Sequence, residues 1–370
     1  MRPAFSSTKQ AAAFALLLLL LVALPVVVGK NLLPPREQSY SIQGWGLGPF
    51  PWIRSQIFEE TNAIDIAFVG SSHVLNGIDT PYIQKKLSEK LGRQAVVCTI
   101  AWGGSGYDGL YLITHDLLEH RKVNTLVFYD EKVEQGDLGR NFALPSIFHW
   151  SEQASVLTGL PLPDQAIYYF ISIVGMPRTL LSLLRSNIPA VMSSDNPGFI
   201  KSDNPESVKA AIYLGSVHNP QGFSPSFIEQ HHVRFEPYVP KFPAQSNVYI
   251  YSSKKAGPFE FSHNPLPAWH LHFARKFASI STDRNCHLII LSIPIYDERK
   301  KNTIAERAFW PELLSVDVKM VGVPPINIFG EMTDQEIQKL YADPVHLNQN
   351  GQLYFTSIIT PALVGLYQSW

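Results

Sequence analysis

Four short apolar runs, alternating with helix-like segments, constrain this chain more than any other feature. Ile64-Asp65-Ile66-Ala67-Phe68-Val69 stops at Gly70, and Ala95 to Ile100 leads into the turn Gly103-Gly104-Ser105-Gly106. Thr125 to Tyr129 and His287 to Ile293 complete the set. Runs of about 4–8 apolar residues bounded by turn residues read as strands. Where they do not alternate with polar residues, they suit strands covered on both faces, as in a parallel sheet. Between them, Thr80-Pro81 opens a helix to about Leu91, with proline at the first helical position. A second helix is expected from about Tyr107 to His120, and Leu266, Trp269, Phe273, Phe277 and Ile280 recur at helical spacing. Ile326 to Phe329 reads as a short fifth strand. Thr333 with Glu336 forms a capping box for a helix to about Tyr341, and Gly351 to Tyr367 forms a closing helix. This alternation predicts a three-layer α/β fold around a parallel sheet, and 370 residues with 45% apolar side chains are ample for its core.

Charged residues make up only 16% of the chain, against roughly 25% in soluble domains. Part of that shortfall is local, because Ala11 to Gly29 carries no charge and Leu16 to Leu21 is unbroken leucine. The segment follows Arg2 and Lys9 and is about 19 residues long, close to the ~20 that span a bilayer. A cleaved signal has a shorter apolar core of ~7–15 residues, although Val27 and Gly29 offer a weak cleavage site. The expected organisation is a cytoplasmic stub over 1–10, a single membrane anchor over 11–29 and a linker over 30–61. The main domain then lies outside the cytoplasmic membrane, in the periplasm; cleavage and secretion is the alternative. Residues 133–265 are proline-rich with few strand-like runs, and form an insertion or cap that splits the domain into 62–132 and 266–370. A net charge of −1 gives no footprint for nucleic acid.

Two distant segments carry the candidate chemistry. Gly70-Ser71-Ser72-His73 ends the first apolar run, and Asp343-Pro344-Val345-His346-Leu347-Asn348 lies near the C-terminus. A serine hydroxyl is a weak nucleophile at neutral pH and needs an imidazole to take its proton. The imidazole in turn needs a carboxylate to hold its tautomer. An Asp three residues before a His on a helical turn shares its face, so Asp343 is placed to hold one ring nitrogen of His346 and leave the other for Ser72. Ser71 is the neighbour that could be mistaken for the nucleophile. His73 is read mainly as a packing or capping residue at the pocket. His270/His272 and the His231-His232 pair are read as structural or solvated, because no carboxylate or third His recurs at ligand spacing.

These blocks resemble the SGNH (GDSL-like) hydrolase superfamily. Gly70-Ser71-Ser72 matches its Gly-Asp-Ser block with Ser in the Asp position. Thr99-Ile100-Ala101-Trp102-Gly103-Gly104 matches its second block mainly at the last glycine, and Asp343 and His346 fit its Asp-x-x-His block. The resemblance implies a five-stranded parallel sheet in the order 2-1-3-4-5 and a catalytic trio of Ser72, His346 and Asp343. It also implies oxyanion donors from the amides of Ser72 and Gly104, a pocket near His73, Thr99 and Glu131, and neither cofactor nor metal. With the anchor and the insertion, the chain resembles the membrane-anchored branch related to alginate O-acetylation and teichoic-acid D-alanylation proteins. That branch implies an esterase or acyltransferase on an acylated carbohydrate polymer, with a membrane-bound acyltransferase as a further partner.

The third block departs from the family. Strand three runs into Tyr129-Asp130-Glu131-Lys132, without the Asn that usually completes the oxyanion hole. A donor there is worth ~3–4 kcal/mol, so a catalytically inactive scaffold that binds polysaccharide or a membrane acyltransferase stands as the alternative. On the family's strand order Cys98 and Cys286 are three strands apart, about 14 Å at ~4.8 Å per step. Bridged Cα atoms lie within ~7 Å, so no disulfide is expected between them.

Overall fold

The computed structural model describes residues 5–31, 36–37, 40, 50–102, 106–129, 153–170, 247–251, 257–262, 266–313, 318–342 and 344–370. Its centre is a mostly parallel sheet. Strands β1 (Ile64–Gly70), β2 (Val97–Ala101) and β3 (Val123–Tyr129) come from the first half of the domain, and β4 (Tyr249–Tyr251) and β5 (Phe259–Ser262) from the mid-chain stretch. Strands β6 (His287–Leu291), β7 (Ile304–Arg307) and β8 (Val318–Gly322) follow. The main sheet has six strands in the order β2-β1-β3-β6-β8-β4, and β5 pairs with β7 in a separate two-stranded sheet.

Two expectations about the sheet are corrected here. It has six strands rather than five, because Tyr249–Tyr251 adds an antiparallel edge to β8 and changes the order. The strand expected at Ile326–Phe329 is instead a helical turn, Pro325–Phe329. Pro324 and Pro325 fix φ in the helical range, and the turn buries Ile328 and Phe329 while Ile326 stays 40% exposed. The parallel strand at that place is Val318–Gly322, paired with β6.

Every residue of β1 is buried, which is why the run shows no polar alternation. Ala67 and Val69 point into a core with helices Tyr107–His120 and Ala268–Asp283. Ile66 and Phe68 point into a second core with helices Ser72–Gly77, Thr80–Leu91 and Gln349–Ser369. Helices therefore cover both faces. The helix Thr80–Leu91 is capped by Asp79, whose side chain accepts from the Tyr82 N–H, one residue earlier than the expected Thr80 cap. The capping box of Thr333 and Glu336 forms as expected.

Part of the 30–61 stretch packs on the first core: Tyr40, Phe50, Ile53 and Ile57 are buried there. Arg36 Nε lies 2.7 Å from Asp116 Oδ1, and the Tyr40 hydroxyl donates to Asp116 Oδ2 at 2.7 Å. Arg121 donates to the carbonyls of Gln56 and Asn62. Cys98 and Cys286 are free and buried, and burial pushes each thiol up to about 12. The segment Thr8–Asn31 is one 24-residue helix, whose side chains are described as far as Leu21 and again at Ala23. Among the described residues no helix is long and apolar enough to cross a membrane.

Candidate active site

The serine side is built by the exit from β1. Gly70 ends the strand, and a Cβ there would lie 2.4 Å from Val74 Cγ2. Only glycine lets the next helix fold back this closely on the strand end. Ser71 takes an extended conformation and caps the helix Ser72–Gly77, its side chain accepting from the His73 N–H. Its carbonyl accepts from Val74 N at 3.0 Å and Leu75 N at 3.2 Å. Ser71 is thus the capping residue, and Ser72, half-buried, stands at the rim. Asn76 Nδ2 donates to the Ser72 carbonyl at 2.8 Å and fixes the turn.

The histidine side is a closed loop before the last helix. Tyr341 and Leu347 form an antiparallel bridge, and Ala342 N donates to His346 O at 3.0 Å. Asn348 locks the loop from behind. Its Nδ2 donates to the carbonyls of Lys339 and Tyr341, while its Oδ1 caps the N–H groups of Asn350 and Gly351. The Tyr341 hydroxyl donates to Pro294 O at 3.0 Å. Burial, and then the nearby charge of Glu298, hold that hydroxyl well above its usual pKa, so it remains a donor.

Buried polar groups tie the two sides together. Gln352 Nε2, on the last helix, donates to Leu75 O at 3.1 Å and Ile78 O at 3.2 Å, satisfying the end of the serine helix. Thr356 Oγ1 accepts from Asp79 N at 2.8 Å on the same seam. Carbonyls left bare here would cost ~1–3 kcal/mol each, so the seam holds serine and histidine in register.

The outcome is a contact across 274 positions: Ser72 Oγ lies 2.8 Å from His346 Nε2. With Ser72 donating, Nε2 is the unprotonated nitrogen and the ring proton sits on Nδ1. Oγ is then ready to give its proton to the ring as it attacks a carbonyl. Both side chains are half-buried and reach the surface.

The structure brings together some of the expected site residues and not others. Ser72, His346 and His73 converge; His73 is buried, its ring centroid 4.8 Å from that of His346. Thr99 does not join them. It pairs with Phe68 inside the sheet rather than at its rim, and its buried hydroxyl has no hydrogen-bond partner among the described residues. Asp343, Gly104 and Glu131 lie outside the described residues, as do His231 and His232. The β1–β2 register pairs Gly70 with Ala101, and Trp102 N donates to Gly70 O at 3.3 Å. The end of β2 thus lies beside the strand end that precedes the serine.

His272 Nε2 is 2.8 Å from the Val156 carbonyl oxygen, and His270 is buried against Trp269 and Tyr107. No cluster of three metal-binding side chains occurs among the described residues. Sequence reasoning missed Asn76, Tyr129 and Gln352. A Gln one residue after a glycine in the closing helix gives no signal without knowing which helix it faces. No protein-family model matches the chain, and a search of curated proteins finds no match.

Proposed function

We propose that this protein is an extracytoplasmic serine esterase or O-acyltransferase acting on an acylated carbohydrate polymer. The observation that carries the reading is the 2.8 Å approach of Ser72 Oγ to His346 Nε2, made by residues from opposite ends of the domain at one rim of the sheet. In this reading Ser72 attacks the ester carbonyl while His346 takes its proton, forming a tetrahedral intermediate. His346 returns the proton to the leaving alcohol as the intermediate collapses to the acyl-enzyme, and then takes a proton from the acceptor, water or a sugar hydroxyl, as it attacks that acyl group and frees Ser72. Asp343 holds Nδ1, and the amides of Ser72 and Gly104 receive the oxyanion. The finer family assignment, an SGNH-type fold of the membrane-anchored branch, is part of the same proposal. It is supported by the three sequence blocks and by a mostly parallel sheet with helices on both faces.

The N-terminal helix supports an envelope location. Phe14 and Leu16 to Leu21 are each between 42% and 66% exposed, an unbroken apolar surface of the kind that marks a membrane or partner contact. We propose that this segment, whose side chains are described only as far as Leu21 and again at Ala23, is the anchor in the cytoplasmic membrane, with the domain on the outer side.

The test compares wild type with Ser72→Ala on an acetylated polysaccharide and on p-nitrophenyl acetate, with polymer acylation measured in cells. Loss of ester turnover and altered polymer acylation in Ser72→Ala is the expected result. Acylation that is unchanged in Ser72→Ala but lost on deleting the gene would overturn catalysis in favour of a binding scaffold.

A further inference from the structure

His73 follows the nucleophile directly, yet its ring is turned inward and is largely buried. The ring lies 5.0 Å from Tyr129, the last residue of β3, at an interplanar angle of 29°. It lies 4.8 Å from the His346 ring at 35°. His73 Nδ1 is 3.2 Å from Ser71 Oγ, the same oxygen that accepts from the His73 backbone to cap the serine helix. One side chain thus touches the helix cap, the strand end and the base.

We propose that His73 is a positioning residue for His346, holding the plane of the base so that Nε2 stays directed at Ser72. Hydrogen bonds at the ring nitrogens fix where the His346 ring points but not the tilt of its plane about the line through them, and the outer torsion of histidine is intrinsically broad. A flat ring against His346 removes that freedom. This tilted ring-on-ring contact needs a flat ring at position 73. The imidazole additionally binds Ser71 through Nδ1, so the ring that orients the base is itself tied to the nucleophile's helix. Movement of the serine helix and movement of the base are thereby coupled, which keeps the 2.8 Å contact through the cycle.

This inference rests on the serine–histidine reading above. Its test uses the full-length protein in detergent and compares wild type, His73→Phe and His73→Leu. Two rates are measured: ester turnover, and formation of a fluorophosphonate adduct at Ser72. Leucine fills the space without a flat ring, while phenylalanine keeps the ring and loses only the Ser71 bond. Because small displacements at a reacting centre cost up to ~100-fold in rate, His73→Leu is expected to lower kcat and the labelling rate by about 10–100-fold. KM should stay within about 2-fold, and His73→Phe should recover to within about 5-fold of wild type. A residue that only packs would shift Tm in both variants and leave kcat of the folded protein unchanged, which overturns the proposal. Equal loss in both variants also overturns it, because the flat ring would then not be what matters. Wild type that resists labelling would instead defeat the serine–histidine reading itself, and this inference with it.

Discussion

Gly351 and Gly365 lie on the same closing helix, Gln349–Ser369, and alanine at each is predicted to act with opposite sign. Helix propensity alone favours Ala over Gly by about 1 kcal/mol. At Gly365 nothing among the described residues lies within 4 Å of an added Cβ, so Gly365→Ala should gain about 0.5–1 kcal/mol. At Gly351 the added Cβ would sit 2.0 Å from Leu340 O, 2.9 Å from Leu347 Cδ2 and 3.0 Å from Leu340 C. The nearest atom is backbone, so relief to 3.0 Å requires a shift of about 1 Å, the difference between those two separations. Leu340 O is also the acceptor for Asn348 N at 2.9 Å, so the shift strains the loop that carries His346.

Overpacking of this kind costs about 1–3 kcal/mol, and the weakened hydrogen bond about 1 more. Set against the propensity gain, the net is a loss of about 1–3 kcal/mol. A 1 Å displacement passed on to His346 would stretch its 2.8 Å contact with Ser72 beyond hydrogen-bond range, costing on the order of 100-fold in kcat. Denaturant unfolding and ester turnover of the two variants, purified full-length in detergent, check this together. If Gly351→Ala stabilises as much as Gly365→Ala and keeps full activity, the described coupling between the helix start and the base is wrong.

Three further outcomes are expected. Burial, and then the charge of Arg307, lower the His270 pKa from 6.5 to about 4, so the unfolded chain binds the proton more readily than the folded one. That stability is complete above about pH 6.5 and is lost as pH falls toward 4, by about 3 kcal/mol in total. His270→Phe should flatten that part of the stability–pH curve, and an unchanged slope would contradict the assignment. Asp116→Ala removes the carboxylate that Arg36 and the Tyr40 hydroxyl share and should cost about 3 kcal/mol. It should also speed tryptic cleavage after Arg36, and unaltered cleavage would mean that the clamp does not hold the arm. Gln352→Leu leaves Leu75 O and Ile78 O without their donor and should cost about 2 kcal/mol. Its effect on kcat should exceed its effect on KM, and a pure KM effect would count against a seam that holds serine and histidine in register.

What the sequence made legible follows from burial. Strands β1, β2, β3 and β6 stood out because both faces are covered, leaving runs such as Phe68-Val69 without polar interruption. Strand β8 did not, since Lys319 breaks its pattern and the run is short. Ile326–Phe329 was read as the strand instead, but its apolar residues serve a single helical turn. Strand β4 is only three residues long and owes its pairing to β8, a partner about 70 positions away that local periodicity does not reveal. At the site, Ser72 and His346 were legible because their roles demand particular residue types in particular places. Gln352 and Asn76 were not, because their work is to satisfy distant or local carbonyls, and that becomes visible only when the helices are packed. Thr99, two places before the end of β2, lies within the sheet opposite Phe68.

The most direct test of the account is mass-spectrometric mapping of a fluorophosphonate adduct on the full-length protein. A single adduct is expected on Ser72, absent in Ser72→Ala and strongly slowed in His346→Ala, with Ser71 unmodified. A folded wild-type protein that takes no label, or takes it on Ser71 regardless of His346, would contradict it.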